Sequence, residues 1–233
     1  MTSQPNMAAY LCRLHHISLH VSNAEKVASD LVSKFKFNVF ASRLAGGSRQ
    51  LALRKGAAVF VVNDRPEWKR GAGGLPGGLP GELPGVNPGK HGRHQPPTRL
   101  YDVSLSFPVD TVSNVCFEVD DAGRSCRALK DMGCCVLVPP TRVGDEAGHV
   151  TYFVVKSIVG NVCHTLIDRT KYRGDFLPGF DVMGKHCSSE EEDTSCPITH
   201  FDHITYACPR KTTHQIMRWY EDLFGFQRFF IDR

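Results

Sequence analysis

One pattern occurs three times along this chain: a short alternating strand, a capped amphipathic helix ending at a left-handed position, then further short strands. "LHHISLHV" (Leu14 to Val21) alternates with a period of two. Ser22, with Glu25 three residues later, has the spacing of a capping box and opens a helix whose apolar stripe is Val27, Ala28, Leu31 and Phe35. Strand-like runs follow at 38–43, 49–54 and 57–63. "NVCFEVD" (Asn114 to Asp120) restarts the pattern. Asp121 caps a helix carrying Ala122, Cys126, Leu129 and Met132, closed by Gly133, and "CCVLVPP", "HVTYFVVKS" and "NVCHTLIDR" supply three more strands. "FDHITYACP" (Phe201 to Pro209) is the third restart. It is followed by a Thr212 or Thr213 cap and a helix with Ile216, Trp219, Tyr220, Leu223 and Phe224 at i, i+3, i+4, i+7 and i+8. Gly225 ends that helix and "FQRFFIDR" begins another strand. A repeated strand–helix–three-strand unit constrains the architecture before any single motif does.

The repeats overlay residue by residue. His16 of the first falls on His203 of the third, and Phe35 falls on Phe224, while the middle unit places Asn114 where the others place His. Lys36 stands where the third unit has Gly225, so a left-handed helix end there costs about 1 kcal/mol relative to glycine.

Between the units the composition changes. Residues 71–97 are rich in Gly and Pro and contain "LPGG-LPGE-LPGV". Proline lacks a donor and glycine has the most backbone entropy to lose, so this reads as a disordered surface insert within one domain. Gly does not recur every third residue, so a collagen-like reading fails. Residues 181–197 are polar, with Glu190, Glu191, Glu192 and Asp193 in a row, as in a solvated linker. The expected organisation is a tail at 1–8, a domain of two βαβββ modules at 9–180, an acidic linker at 181–197, and the start of a further domain at 198–233.

The remaining bounds are simple. With 233 residues, 41% apolar and 22% charged, the chain is long enough for one or two domains with a proper core. The net charge of +4 is spread out, with no basic helix or aromatic-interleaved basic stripe, which argues against nucleic-acid binding. No apolar run approaches ~18 residues, so no membrane span is expected. The nine Cys lack C-x-x-C or framework spacing and read as reduced, mostly core thiols. His200 and His203 face opposite ways in a strand, and His16 and His20 share a face. A lone His in an alternating strand is by itself more often structural than ligating, and the residues alone leave His203 open between the two.

The restarts and their punctuation resemble the vicinal-oxygen-chelate fold, an α+β architecture in which paired βαβββ modules form a half-open, glyoxalase-like barrel around a metal. "GNVCHTLIDRTKYRGDFLPGF" (Gly160 to Phe180) resembles the stretch closing the N-terminal domain of the 4-hydroxyphenylpyruvate dioxygenase family. "FDHITYACP…WYEDLFGFQRFF" resembles the opening of that family's catalytic domain. The resemblance implies an Fe(II)-dependent dioxygenase that uses O₂ to decarboxylate and hydroxylate an aromatic 2-oxo acid in tyrosine catabolism, giving homogentisate or hydroxymandelate. It implies one Fe(II) per complete subunit, held by two His and one Glu. His203 matches the first His ligand. The other two would lie beyond Arg233, so the chain is expected to be a fragment of a longer product and inactive by itself. Asn114 and Thr165 occupy the ligand positions of the first domain, which is expected to be metal-free. The resemblance further implies a homo-oligomer and a mitochondrial location, with the cytoplasm as the alternative. The rival reading is a non-catalytic binding or scaffold protein that keeps the fold and has lost the metal; glyoxalase or extradiol chemistry is more distant.

Overall fold

The computed structural model describes residues 9, 11–45, 47–64, 99–103, 109–183 and 197–228. The insert at 71–97 and most of the linker at 181–197 lie outside the described residues.

The first unit is β1 (Leu11–Val21), α1 (Ala24–Phe35), β2 (Asn38–Ala45), β3 (Ser48–Lys55) and β4 (Ala58–Asp64). The second is β5 (Thr111–Val119), α2 (Ala122–Asp131), β6 (Val136–Asp145), β7 (Gly148–Lys156) and β8 (Cys163–Asp168). In each unit the first strand pairs in parallel with the last, and the rest follow antiparallel. The units join where β1 pairs antiparallel with β5, giving one sheet in the order β6-β7-β8-β5-β1-β4-β3-β2-β9. This is the expected pair of βαβββ modules. The short β9 (Asp181–Val182) pairs with β2 and falls in the stretch expected to be linker.

The local signals that matter are mostly in place. Helix α1 starts one residue later than the capping-box reading, with Asn23 as its cap, accepting from the Lys26 amide at 2.8 Å. Ser22 is committed elsewhere: its amide and hydroxyl both donate to Asp110. Glu25 pairs with Arg49 at 2.6 Å instead of reaching back to the cap. Phe35, expected in the apolar stripe, is 49% exposed, and Met132, which falls at the cap just after α2, is 46% exposed. Asp121 caps α2 as expected, accepting from the Arg124 amide. Lys36 is left-handed at φ 59°, the counterpart of Gly225 at φ 68°. The Pro139-Pro140 pair lies in edge strand β6 where the register skips, a place that tolerates missing donors.

The sheet has two differently filled faces. On one face α1 covers Leu51, Leu53 and Val62, and α2, through Leu129, covers Val115 and Leu166. On the other, residues Phe40, Ala52, Val61, Cys116, Tyr152 and Ile167 are covered by Tyr101, Phe176, Leu177 and Phe180. Thus chain from 99–103 and 172–180 fills the hollow side of the curled sheet.

The third restart differs from its expectation. Residues Phe201–Pro209 form no strand, and no described strand pairs with them. An extended segment becomes a strand only when a neighbour takes up its backbone groups, and alternation alone does not supply one. The helix does form, as α3 (Thr213–Phe224), and packs on the second unit. Thr212 is its cap position, but its hydroxyl donates to the Pro209 carbonyl and makes no cap bond. "FQRFFIDR" has no strand over 226–228, and residues 229–233 lie outside the described residues.

Candidate functional site

By the resemblance, His16 of the first unit and Asn114 and Thr165 of the second stand where metal ligands would be expected in this half. Ile17 lies opposite Val115 in the β1–β5 pairing, so His16 and Asn114 sit one residue before that pair on each strand. Thr165 lies on β8, parallel to β5. All three are buried.

Asn114 and Thr165 bond to each other. The Asn114 amide donates to Thr165 Oγ1 at 2.7 Å, and the Thr165 backbone N–H returns a bond to Asn114 Oδ1 at 2.9 Å. Thr165 Oγ1 in turn donates to the Tyr101 carbonyl at 2.9 Å. Asp102 continues the network. Its Oδ1 accepts from Asn114 at 2.9 Å and from the Val103 amide at 2.8 Å, and its Oδ2 meets His20 Nε2 at 3.0 Å. Arg99 also reaches the His20 ring, with Nη1 3.0 Å from Nε2, and donates to the Asp64 carbonyl. Burial pushes the Asp102 carboxyl up, but the His20 hydrogen bond and charge, with Asn114 and the Val103 amide, outweigh it and hold it below the usual carboxylate value.

These contacts decide what this half can do. An amide and a hydroxyl are weak ligands for a divalent transition metal, and here both are spent on each other and on the 99–103 segment. The ring contacts close the space further: Tyr101 packs on Tyr152 at 4.7 Å between centroids, and Phe176 packs edge-on to Phe40 and Phe180. His16 is buried, and desolvation lowers its pKa to about 4, so it is a neutral imidazole. The donor set at these positions does not fit two His and a carboxylate.

His203 is in a different environment. Its side chain is 77% exposed, and its Nδ1 meets Asp202 Oδ2 at 2.9 Å, which leaves Nε2 facing outward. Burial along the segment alternates as the period-two reading expected on one side: Ile204 and Tyr206 pack into the core under α3, while His203 and Thr205 are exposed. Phe201 departs from that pattern and packs on Phe60 beside the first unit. Among the described residues, no group of three His, Cys, Asp or Glu able to hold an ion includes His203. His200 bonds Thr199. His91 and His94 lie outside the described residues.

The segment carrying His203 is fixed at both ends. The Ala57 amide donates to the Thr199 carbonyl at 2.6 Å, and Gly56 is the residue there because a Cβ would collide with that carbonyl. At the other end, the Tyr220 hydroxyl meets His164 Nε2 at 2.9 Å and Ser157 Oγ at 3.1 Å. Sequence reasoning missed both anchors, because neither Gly56 nor Tyr220 carries a local signal of its distant partner.

No family model matches the chain. Individual relatives do. The chain is 40% identical over 222 residues to the 4-hydroxyphenylpyruvate dioxygenase-like protein of Rattus norvegicus, covering 94% of this chain and 50% of the relative. The protein of that description from Homo sapiens is 39% identical over 225 residues, with the same coverage. The 4-hydroxyphenylpyruvate dioxygenase of Caenorhabditis elegans is 27% identical over 231 residues, covering 97% of this chain and 51% of the relative. A solved triple mutant of 4-hydroxymandelate synthase from Streptomyces coelicolor superposes with a TM-score of 0.60 at 17% identity, covering 95% of this chain and 53% of that one, a likeness of fold. The chain spans about half the length of the curated relatives it matches. With two βαβββ modules in one sheet and this similarity along nearly its whole length, the chain belongs to the 4-hydroxyphenylpyruvate dioxygenase and dioxygenase-like family of the vicinal-oxygen-chelate fold.

Proposed function

We propose that this chain comprises the non-catalytic N-terminal unit and the opening of the catalytic unit of an Fe(II)-dependent dioxygenase. Its substrates would be O₂ and an aromatic 2-oxo acid, and the reaction an oxidative decarboxylation with hydroxylation of the ring or the benzylic carbon. The observation that carries the reading is the contrast between two aligned histidines. His16 is buried in a filled half-barrel, whereas His203 is exposed, with Nε2 open and Nδ1 against a carboxylate. A carboxylate on the far nitrogen is the usual partner of a metal-ligating His, fixing its tautomer and raising its basicity.

His203 is one ligand of the three that Fe(II) needs, and the described residues do not complete the set. The second His and the carboxylate would come from the half of the relatives that lies outside this alignment. The 233-residue chain alone is therefore expected neither to retain Fe(II) nor to consume O₂ with an aromatic 2-oxo acid. Oxygen-electrode and iron-retention measurements on the purified chain check this; coupled O₂ uptake would refute it.

The rival, a non-catalytic binding or scaffold protein, draws on the closed Asn114–Thr165–Asp102 network, whose polar groups are spent on one another. Extending the chain to its relatives' length separates the two, since a scaffold would lack a second His and a late carboxylate.

A further inference from the structure

We propose that His15, His16 and Cys116 form a binding site for a single zinc ion, separate from the iron position at His203. The β1–β5 register skips between Leu14 and His16, so that His15 and His16 together oppose Cys116. A bulge of this kind turns two successive side chains toward one face, where a regular strand would separate them. The result is a cluster of two imidazoles and a thiol whose ligand atoms all lie within 4.8 Å of one another, the one such group among the described residues. His15 Nδ1 and His16 Nδ1 are 2.7 Å apart.

The geometry suits zinc after a small adjustment. Zn–N distances of about 2.0–2.1 Å and Zn–S of about 2.3 Å at tetrahedral angles require roughly 3.3 Å between nitrogens and roughly 3.6 Å from nitrogen to sulfur. The two nitrogens must part by about half an ångström, and Cys116 must close in by about an ångström at most. Side-chain rotations supply such shifts. Two neutral imidazoles and a thiolate are borderline-to-soft donors that favour Zn(II) over hard cations. Binding releases the Cys116 thiol proton to solvent, leaving a site of net charge +1. Glu118 Oε1 lies 3.9 Å from His15 Nε2, beyond hydrogen-bond reach, and would have to close on that nitrogen to serve as the second-sphere carboxylate of a ligating His15. Glu118 also pairs with Arg13, whose side chain is largely exposed. Phe176 packs against both imidazoles from the opposite side and shields the site from water. His16 and Cys116 thus share a face with Asn114 but use a different donor set from the fold's usual metal position.

The test uses the purified 233-residue chain, freed of metal with a chelator, and Co(II) and Zn(II) as probes. One Co(II) per chain should bind with a sulfur-to-cobalt charge-transfer absorption, Zn(II) should displace it, and Zn(II) should raise the melting temperature. Cys116→Ser should abolish the absorption and weaken Zn(II) at least about 100-fold, at or beyond the ~10–100-fold typical of second-sphere losses. Replacing Cys12, Cys135, Cys187, Cys196 and Cys208 by Ser should change neither result. Should Cys116→Ser fail to fold, His15→Gln, at the edge of the cluster, carries the same expectation for affinity and melting temperature. No Co(II) uptake, uptake without the absorption, or binding unaltered in Cys116→Ser or His15→Gln would overturn the proposal. None of these outcomes bears on His203.

Discussion

Lys36 and Gly225 do the same job at the ends of two equivalent helices, and their difference is one of cost. Lys36 holds a left-handed backbone, its amide donating to the Val32 carbonyl and the Phe37 amide to the Leu31 carbonyl. A side chain there costs about 1 kcal/mol relative to glycine. Lys36→Gly should therefore raise stability by about 0.5–1 kcal/mol, read as a higher urea midpoint at unchanged slope. Asp102 works in the opposite direction. It is buried between His20 and Asn114, and its removal leaves His20, the Asn114 side-chain amide and the Val103 backbone amide without their shared acceptor. Asp102→Ala should cost about 3–5 kcal/mol, a loss visible in the same denaturation experiment. Lys36 could be read from the sequence overlay, since Gly225 stands in register. Asp102 could not, because its partners lie on β1 and β5 and no local spacing connects them.

Helix α3 shows how an element can be legible while its place is not. Its stripe of Ile216, Trp219, Tyr220, Leu223 and Phe224 follows from a 3.6-residue period, and all five pack as that period requires. What they pack against is set by β8 and β5 of the second unit, through His164, Phe117 and Leu166. The preceding segment had the alternation of a strand but no neighbour to pair with, so the period was right for its faces and wrong for its hydrogen bonding. Since α3 shares that core, Leu223→Ala should destabilise the second unit by about 2–5 kcal/mol, measured by thermal or urea unfolding. His164 makes the same contact sensitive to pH. It is faced by the Tyr220 hydroxyl, the Val115 carbonyl and the rings of Phe117, Trp219 and Phe224, with Tyr206 stacked on Tyr220. Desolvation pushes its pKa down to about 4, against the pull of the Val115 carbonyl. An unfolded histidine titrates near pH 6.5. Between pH 6.5 and 4 the unfolded chain therefore takes up a proton that the folded chain refuses, and stability falls as pH falls through that window, by up to about 1.4 kcal/mol per unit. His164→Gln should remove this part of the pH dependence in urea unfolding at pH 7 and pH 4.5.

At the scale of the whole molecule, two modules with one strand order form a single sheet whose hollow is filled by the chain's own aromatic segments. The repeat made the module architecture legible, because each unit carries its own strand, cap and helix-end signals. The filling was not legible: Tyr101, Phe176 and Phe180 are ordinary apolar residues until topology places them on the face that would otherwise cup a metal. On the proposed reading the iron-ligand role falls to His203 and not to the Asn114 and Thr165 positions, whose donors are spent on each other. The most direct test is the iron content, by elemental analysis, of the chain extended to the length of its relatives, compared between the unaltered protein, His203→Ala and His200→Ala. The account predicts one iron per chain and turnover of an aromatic 2-oxo acid in the unaltered and His200→Ala proteins, and loss of both in a folded His203→Ala protein. Stoichiometric iron and turnover in His203→Ala would contradict it.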